Sequence, residues 1–301
     1  MSSTAPAASA APPFRFSLNT STIRGQKLPL AAEIDIAAEV GYHAVEPWIS
    51  EMETHVKSGG KLTEIRDRLR DKGLAVPSAI GFFEWIVDDP ARRAKALEQA
   101  RRDMDLVAQI GGTRIAAPPW GAHDKAKMAG QPDVDLLQAA ERYRALLEIG
   151  REAGVVPQVE VWGFSHTLNR LGEAALVAIE SGHPDACVLA DVYHLYKGGS
   201  PANGLSLLRG DKHLHVFHVN DYPADKPRAT ITDADRVYPG DGVAPLGEIL
   251  RTLRAIGFSG YLSLELFNAT YYQQDARLVA RTGLEKTRAA VEKALAARVT
   301  A

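Results

Sequence analysis

The chain has 301 residues, and 35 Lys and Arg stand against 37 Asp and Glu, a formal charge of −2. Hydrophobic residues make up 46% and charged residues 24%, an ordinary soluble globular composition in a chain long enough to bury its own core. The single Cys187 excludes a disulfide framework or a cysteine-rich zinc module. The near-neutral balance gives no footprint for nucleic acid or anionic lipid, and no run approaches the ~18 apolar residues of a membrane span.

The first thirteen residues, MSSTAPAASAAPP, are small residues and proline without the basic start and apolar core of a signal peptide. They read as a disordered leader, with a trimmed export remnant as the alternative and a cytoplasmic location as the default. One domain is expected over 14–301. From there, β-rich runs alternate with stretches of three- and four-residue apolar spacing. The expected strands are 14–18, 44–46, 75–79, 113–117, 156–162, 187–191, 214–219 and 261–266. The expected helices are 30–40, 62–69, 94–110, 143–153, 171–179, 201–208, 246–256 and 278–295, of which 201–208 is the weakest. Glycines 41, 73, 111, 154, 182 and 257 stand where helices should stop. Eight strand–helix units point to a single (β/α)₈ TIM barrel of the α/β class. No Gly-x-Gly-x-x-Gly follows the first strand and no P-loop occurs, so a dinucleotide or nucleotide fold loses its main support. The polar stretch 220–244 follows the seventh strand and is expected to be a mobile cover over the mouth.

In a barrel the carboxyl ends of the strands converge, so chemistry is sought there. The second expected strand ends in Glu46, the fifth in Glu160, the sixth in Asp191, the seventh in His218 and the eighth in Glu265. Any one could be an ordinary polar strand end. Four in consecutive strands form a set of oxygen and nitrogen donors suited to one divalent metal, which would offset the cost of burying three carboxylates together.

The chain resembles the sugar phosphate isomerase/epimerase group of the xylose isomerase-like barrels, which includes ketose 3-epimerases, hydroxypyruvate isomerase and inosose dehydratase. The resemblance rests on Glu46, Glu160, Asp191-x-x-His194, His218-x-x-Asp221, the Pro239-Gly240-Asp241-Gly242 turn and Glu265, in that order over nearly the whole chain. It implies one divalent ion, Mn²⁺ first with Co²⁺ or Mg²⁺ as alternatives, held by Glu160, Asp191, His218 and Glu265. It also implies that Glu160 and Glu265 exchange a substrate proton through a metal-stabilised enediolate, and that His194 bonds a substrate oxygen. Glu46 would fix a substrate hydroxyl or pair with a rim arginine. Trp48, Trp120 and Trp162 would stack on a sugar or pack the rim. Arg228 and Arg236 would bind an anionic group or be solvated lid charges. His123 and His166 read as exposed loop histidines, and His213 and His215 receive no role.

The expected function is therefore a metal-dependent keto-sugar isomerase or epimerase with a small carbohydrate as partner, and the sequence is compatible with a homo-oligomer. The alternative is a dehydratase of the inosose dehydratase type, which begins with the same proton abstraction. A non-catalytic sugar-binding barrel leaves the converging ligands without a purpose. An endonuclease IV-like phosphodiesterase needs an Asp-x-His pair where this chain has Asp235-Arg236-Val237, and histidines where it has Gly81-Phe82 and Pro118-Pro119-Trp120.

Overall fold

Short runs of β-branched and aromatic residues build seven parallel strands: β1 (Arg15–Asn19), β2 (Ala44–Glu46), β3 (Arg114–Ala117), β4 (Val156–Glu160), β5 (Val188–Asp191), β6 (Val216–Val219) and β7 (Tyr261–Leu264). In the computed structural model, which describes residues 14–124 and 133–296, they form one sheet in the order β2-β1-β7-β6-β5-β4-β3. The edges β2 and β3 are bridged by the extended segment 75–80. On one side, Ala75 N donates to His43 O (3.1 Å), Val45 N to Ala75 O (3.0 Å) and Ile80 N to Pro47 O (2.9 Å). On the other, Ala79 N donates to Arg114 O (3.1 Å) and Ala116 N to Ala79 O (2.8 Å). The expected third strand thus closes the ring without regular strand pairing. Pro77, in its middle, has no N–H to give a ladder.

The helices are α1 (Leu30–Val40), α2 (Ile49–Lys57), α3 (Leu62–Asp71), α4 (Pro90–Gln109), α5 (Leu136–Ala153), α6 (Leu171–Glu180), α7 (Val192–Gly198), α8 (Leu246–Ala255) and α9 (Ala276–Ala296). Stretch 201–208 forms a 3₁₀ turn, Ala202–Leu207, and the helical residues after β5 are instead those of α7. All six expected stop glycines take left-handed φ, from 59° to 97°. At Gly41 the amide N–H donates to Ala37 O and Ala38 O, closing α1 with a turn that a β-carbon would strain. Among the described residues, no helix is long and apolar enough to cross a membrane. The leader 1–13 lies outside the described residues.

Alternation along the strands separates two cores. Phe16, Leu18, Val45, Ile115, Val159, Phe217 and Leu262 face outward into the main cluster with the helices. Ala44, Ile80, Ala116, Leu189, Val216 and Tyr261 form a small cluster inside the ring. The outer core also holds α4 against the wall of the mouth, where Gln99 Nε2 donates to Phe82 O (2.9 Å) and to Asp103 Oδ2 (3.4 Å). Asp103 is buried, and burial pushes its carboxyl up to about 6. The folded state therefore holds a proton that the unfolded chain releases near ~3.9, so this group's stabilisation is lost as pH rises through about 6. Asp103→Asn is expected to raise stability at pH 8 by about 1–2 kcal/mol and by less at pH 5, read as the shift in urea midpoint at the two pH values.

Candidate active site

The same alternation that puts Ser17, Ala44 and Ser263 inside the ring puts Asn19, Glu46 and Glu265 inside it two residues later, at the carboxyl end. Glu160, Asp191 and His218 close the layer. All six are buried: Asn19, Glu46 and His218 are fully enclosed, and the others are at most 4% exposed. Asp191, His218 and Glu265 each bring a ligand atom within 4.8 Å of the other two. Glu160 lines the same cavity but is not within that distance of all three.

Each side chain is held. Asp191 caps α7, accepting from His194 N (2.9 Å), which gives the Asp-x-x-His spacing a local cause: the cap and the histidine are one helical turn apart. The other oxygen of Asp191 accepts from Asn220 Nδ2 (2.9 Å). Asn19 Nδ2 is shared between Glu46 Oε2 (3.0 Å) and Glu265 Oε1 (3.1 Å), and Asn19 Oδ1 accepts from Trp48 Nε1 (3.0 Å). Glu46 Oε2 also accepts from Ser263 Oγ (2.7 Å) and from His218 Nε2 (2.9 Å). With that proton on Nε2, the opposite nitrogen Nδ1 faces Glu265 Oε2 at 3.3 Å and Asp191 Oδ2 at 3.8 Å, buried and without a hydrogen bond. Through this bond Glu46 aims the histidine. A carboxylate backing an imidazole whose other nitrogen looks into a cluster of hard oxygens is the arrangement that suits a divalent ion.

Arg236, from stretch 220–244, is the second basic group in the cluster. It is 1% exposed, with Nη1 2.7 Å from Glu265 Oε2 and 3.0 Å from Asp191 Oδ2. Its Nη2 pairs with Asp233. The expected mobile cover is instead tied down: Asp221 and Val237 exchange backbone hydrogen bonds, and Asp221 accepts from the amides of Gly240, Gly242 and Ala244. A β-carbon on Gly242 would lie 2.4 Å from Asp221 Oδ1, so the Pro-Gly-Asp-Gly turn and Asp221 belong to one device that delivers Arg236. Arg228 is exposed and lines a depression with Tyr196 and Tyr222 rather than the cavity that holds Glu160 and Glu265.

The charges interact strongly. Burial alone would raise Glu265, but His218 and Arg236 override it and hold the carboxyl well below the usual range. Burial would lower His218, yet Glu265 and Glu46 push it well up. Burial, helped by the charge of Glu265, pushes Glu160 up to about 8 against the pull of His218. Burial, then Arg236, drives His194 well below its ordinary value, so its ring is neutral. Its Nδ1 faces the amide of Gly163 (3.2 Å) and its Nε2 faces Arg236 Nη2 (3.2 Å), and a neutral ring can accept from one of these two donors.

Above the cluster lies a cavity of about 280 Å³ walled by Trp48, Phe82, Trp120, Trp162, Phe164 and Phe267, with Glu160, His194, Arg236 and Glu265 at its base. Trp120 is 36% exposed, tilted against Phe82 at 5.1 Å and stacked on His123 at 4.6 Å. His123 thus belongs to the wall, while His166 lies 2.5 Å from Asp133. Sequence reasoning passed over Asn19, Asn220 and Ser263. Asn19 carried a usable signal, since it is the polar end of the first strand.

A family model described as a xylose isomerase-like TIM barrel matches residues 34–290. The chain belongs to that family. The inosose isomerase of Bacillus licheniformis is 28% identical over 206 residues, 68% of this chain and 72% of the other. Three further inosose isomerases match over only about half of their own length. The fructoselysine 3-epimerase of Escherichia coli O157:H7 is 25% identical, covering 88% of this chain and 94% of the other. A 3-dehydroshikimate dehydratase of Pseudomonas aeruginosa is 27% identical over 86% of this chain, spanning 40% of that protein. The fold matches the crystal structure of the IOLI protein with a binding zinc atom at a TM-score of 0.84 and 20% identity, over 94% of this chain and all of the other.

Removing Arg236 strands two buried carboxylates. Arg236→Met in the presence of EDTA is expected to lower stability by about 3 kcal/mol, and an added divalent metal should recover part of that loss. Thermal denaturation with and without metal reads both; an unchanged midpoint in EDTA would mean that the guanidinium does not balance the cluster.

Proposed function

We propose that this chain is a divalent-metal-dependent isomerase or epimerase of a keto-sugar. The observation that carries the reading is that Glu160 and Glu265, two buried carboxyls, line one sugar-sized aromatic cavity from strands separated around the ring by β5 and β6. Two such groups can work on opposite sides of one carbon: one removes the proton next to the carbonyl, the other returns it. His194 and Arg236 stand together at the base of that cavity, where their N–H groups can meet an oxygen that gains negative charge as that proton leaves. Trp120 and the other rings hold the sugar's C–H faces and keep water out.

Asp191, His218 and Glu265, with Glu160 beside them, would hold the metal, which when bound supplies Lewis acidity at the substrate carbonyl. Mn²⁺ is the first candidate, and Co²⁺, Mg²⁺ and the zinc of the IOLI structure use the same kinds of donor. The partner is a small carbohydrate, in keeping with the sugar-modifying enzymes among the relatives. A dehydratase is the second reading, favoured by the dehydratase among the relatives; it shares the first proton transfer and then expels a hydroxyl.

A panel of keto-sugars and inososes in D₂O with Mn²⁺, followed by NMR, separates these readings. Deuterium at one carbon with an epimerised or isomerised product supports the proposal, loss of water supports the dehydratase, and no exchange with any member overturns both. Glu160→Gln and Glu265→Gln, with metal occupancy restored by excess Mn²⁺, should each lose ~10²–10⁴-fold in turnover. Near-normal turnover in both metallated variants would make these glutamates ligands only.

A further inference from the structure

The opposite end of the barrel carries a second charged site. There a cavity of about 520 Å³ opens among the strand starts, larger than the one at the active mouth. The alternation that places Asn19 at the carboxyl end places Arg15 at the amino end of the same inward face, and Arg114, two residues before Ala116 on β3, stands likewise. Arg66 and Arg70 of α3 line the rim.

Among the described residues the two inward arginines form no ion pair, although the charge of Asp185 acts on Arg114. Arg15 Nη1 donates to Tyr261 Oη (2.7 Å), with the guanidinium 4.0 Å above the same ring, and forms no ion pair among the described residues. Arg114 donates to Thr113 Oγ1 (3.2 Å), also without an ion pair among the described residues; its Nε is buried and has no hydrogen-bond partner. Burial lowers the affinity of Arg114 for its own proton, and burial with the charge of Arg114 pushes the neighbouring His215 down to about 4. The one carboxylate on the cavity wall, Asp211, is committed to Arg209 at 2.7 Å. The rim arginines share Asp67 and Asp71 at 2.8–3.4 Å, all solvated.

A half-buried guanidinium with an idle N–H is costly unless a negative oxygen meets it, and the fork of an arginine fits oxyanions best. We infer that the amino-terminal mouth of the barrel, centred on Arg15 and Arg114, is a binding site for a small oxyanion-bearing molecule, a phosphoryl or polycarboxylate compound, separate from the active site. Tyr261 supplies an aromatic floor, and Arg66 and Arg70 attract the ligand from solvent.

The test uses the metal-loaded protein and calorimetric titration at constant ionic strength, with inorganic phosphate as the phosphoryl probe and tricarballylate as the polycarboxylate probe. At least one should bind saturably with Kd on the order of 1 mM, and the tighter probe identifies the class of ligand. Arg15→Met and Arg114→Met should each weaken that binding about tenfold or more. Arg114→Met should also raise the melting temperature without anion, the opposite of what a structural arginine would do. The proposal fails if neither probe saturates, or if both variants bind as tightly as wild type, which would put the anion elsewhere.

Discussion

Charge balance inside the ring governs this molecule. Glu46, Glu160, Asp191 and Glu265 are all buried at one end of the barrel, beyond an inner layer that includes Ala44, Ala116, Leu189 and Val216. Taking even one such group out of water costs several kcal/mol unless donors or cations replace the solvent. The surroundings are organised as that replacement: Asn19 bridges Glu46 and Glu265, Asn220 holds Asp191, Ser263 holds Glu46, and His218 lies among three of the four acids. The positive charge that the neutral Asn and Ser donors cannot provide comes from His218 and Arg236.

That requirement also explains the long connection after β6. A residue near the middle of a surface loop can enter a buried cluster only if the loop is held on both sides of it. The Asp221–Val237 bridge and the three amides collected by Asp221 do so on one side of the mouth. Lys197 Nζ donates to Ile231 O (2.8 Å), Tyr193 Oη to the same carbonyl (3.4 Å), and Ile231 is fully buried. The loop's polarity reflects this network. The charged groups at the mouth are thus assembled by contacts within the fold.

The barrel is asymmetric along its axis. Acids gather at the carboxyl end and arginines at the amino end, with the small Ala44, Ser17, Ala116 and Ser263 between them. Parallel strands with period-two side chains make this inevitable once the first and last inward residues of each strand have opposite character: Arg15 and Asn19 share one face of β1, as do Tyr261 and Ser263 on β7.

Much of this was legible in the linear chain. The β/α rhythm, the helix stops at glycines 41, 73, 111, 154, 182 and 257, and the acidic and histidine strand ends are local features, set by periodicity and backbone preference over a few residues. They were enough to place Glu160, Asp191, His218 and Glu265 on one rim. Short elements were not legible: α2 begins where Glu51 Oε2 accepts from Trp48 N (3.0 Å) and α7 where Asp191 accepts from His194 N (2.9 Å), and segment 75–80 lies extended between two strand edges. Roles that depend on a partner far along the chain were not legible either. Glu46 meets His218 across 172 positions and Arg236 meets Asp191 across 45, so whether such a charge is a solvated loop cation or a buried counter-ion is decided by which strands become neighbours. Local spacing determined which residues reach the rim; only the closed ring decided which of them touch, because burial and electrostatic coupling arise between strands and not along them.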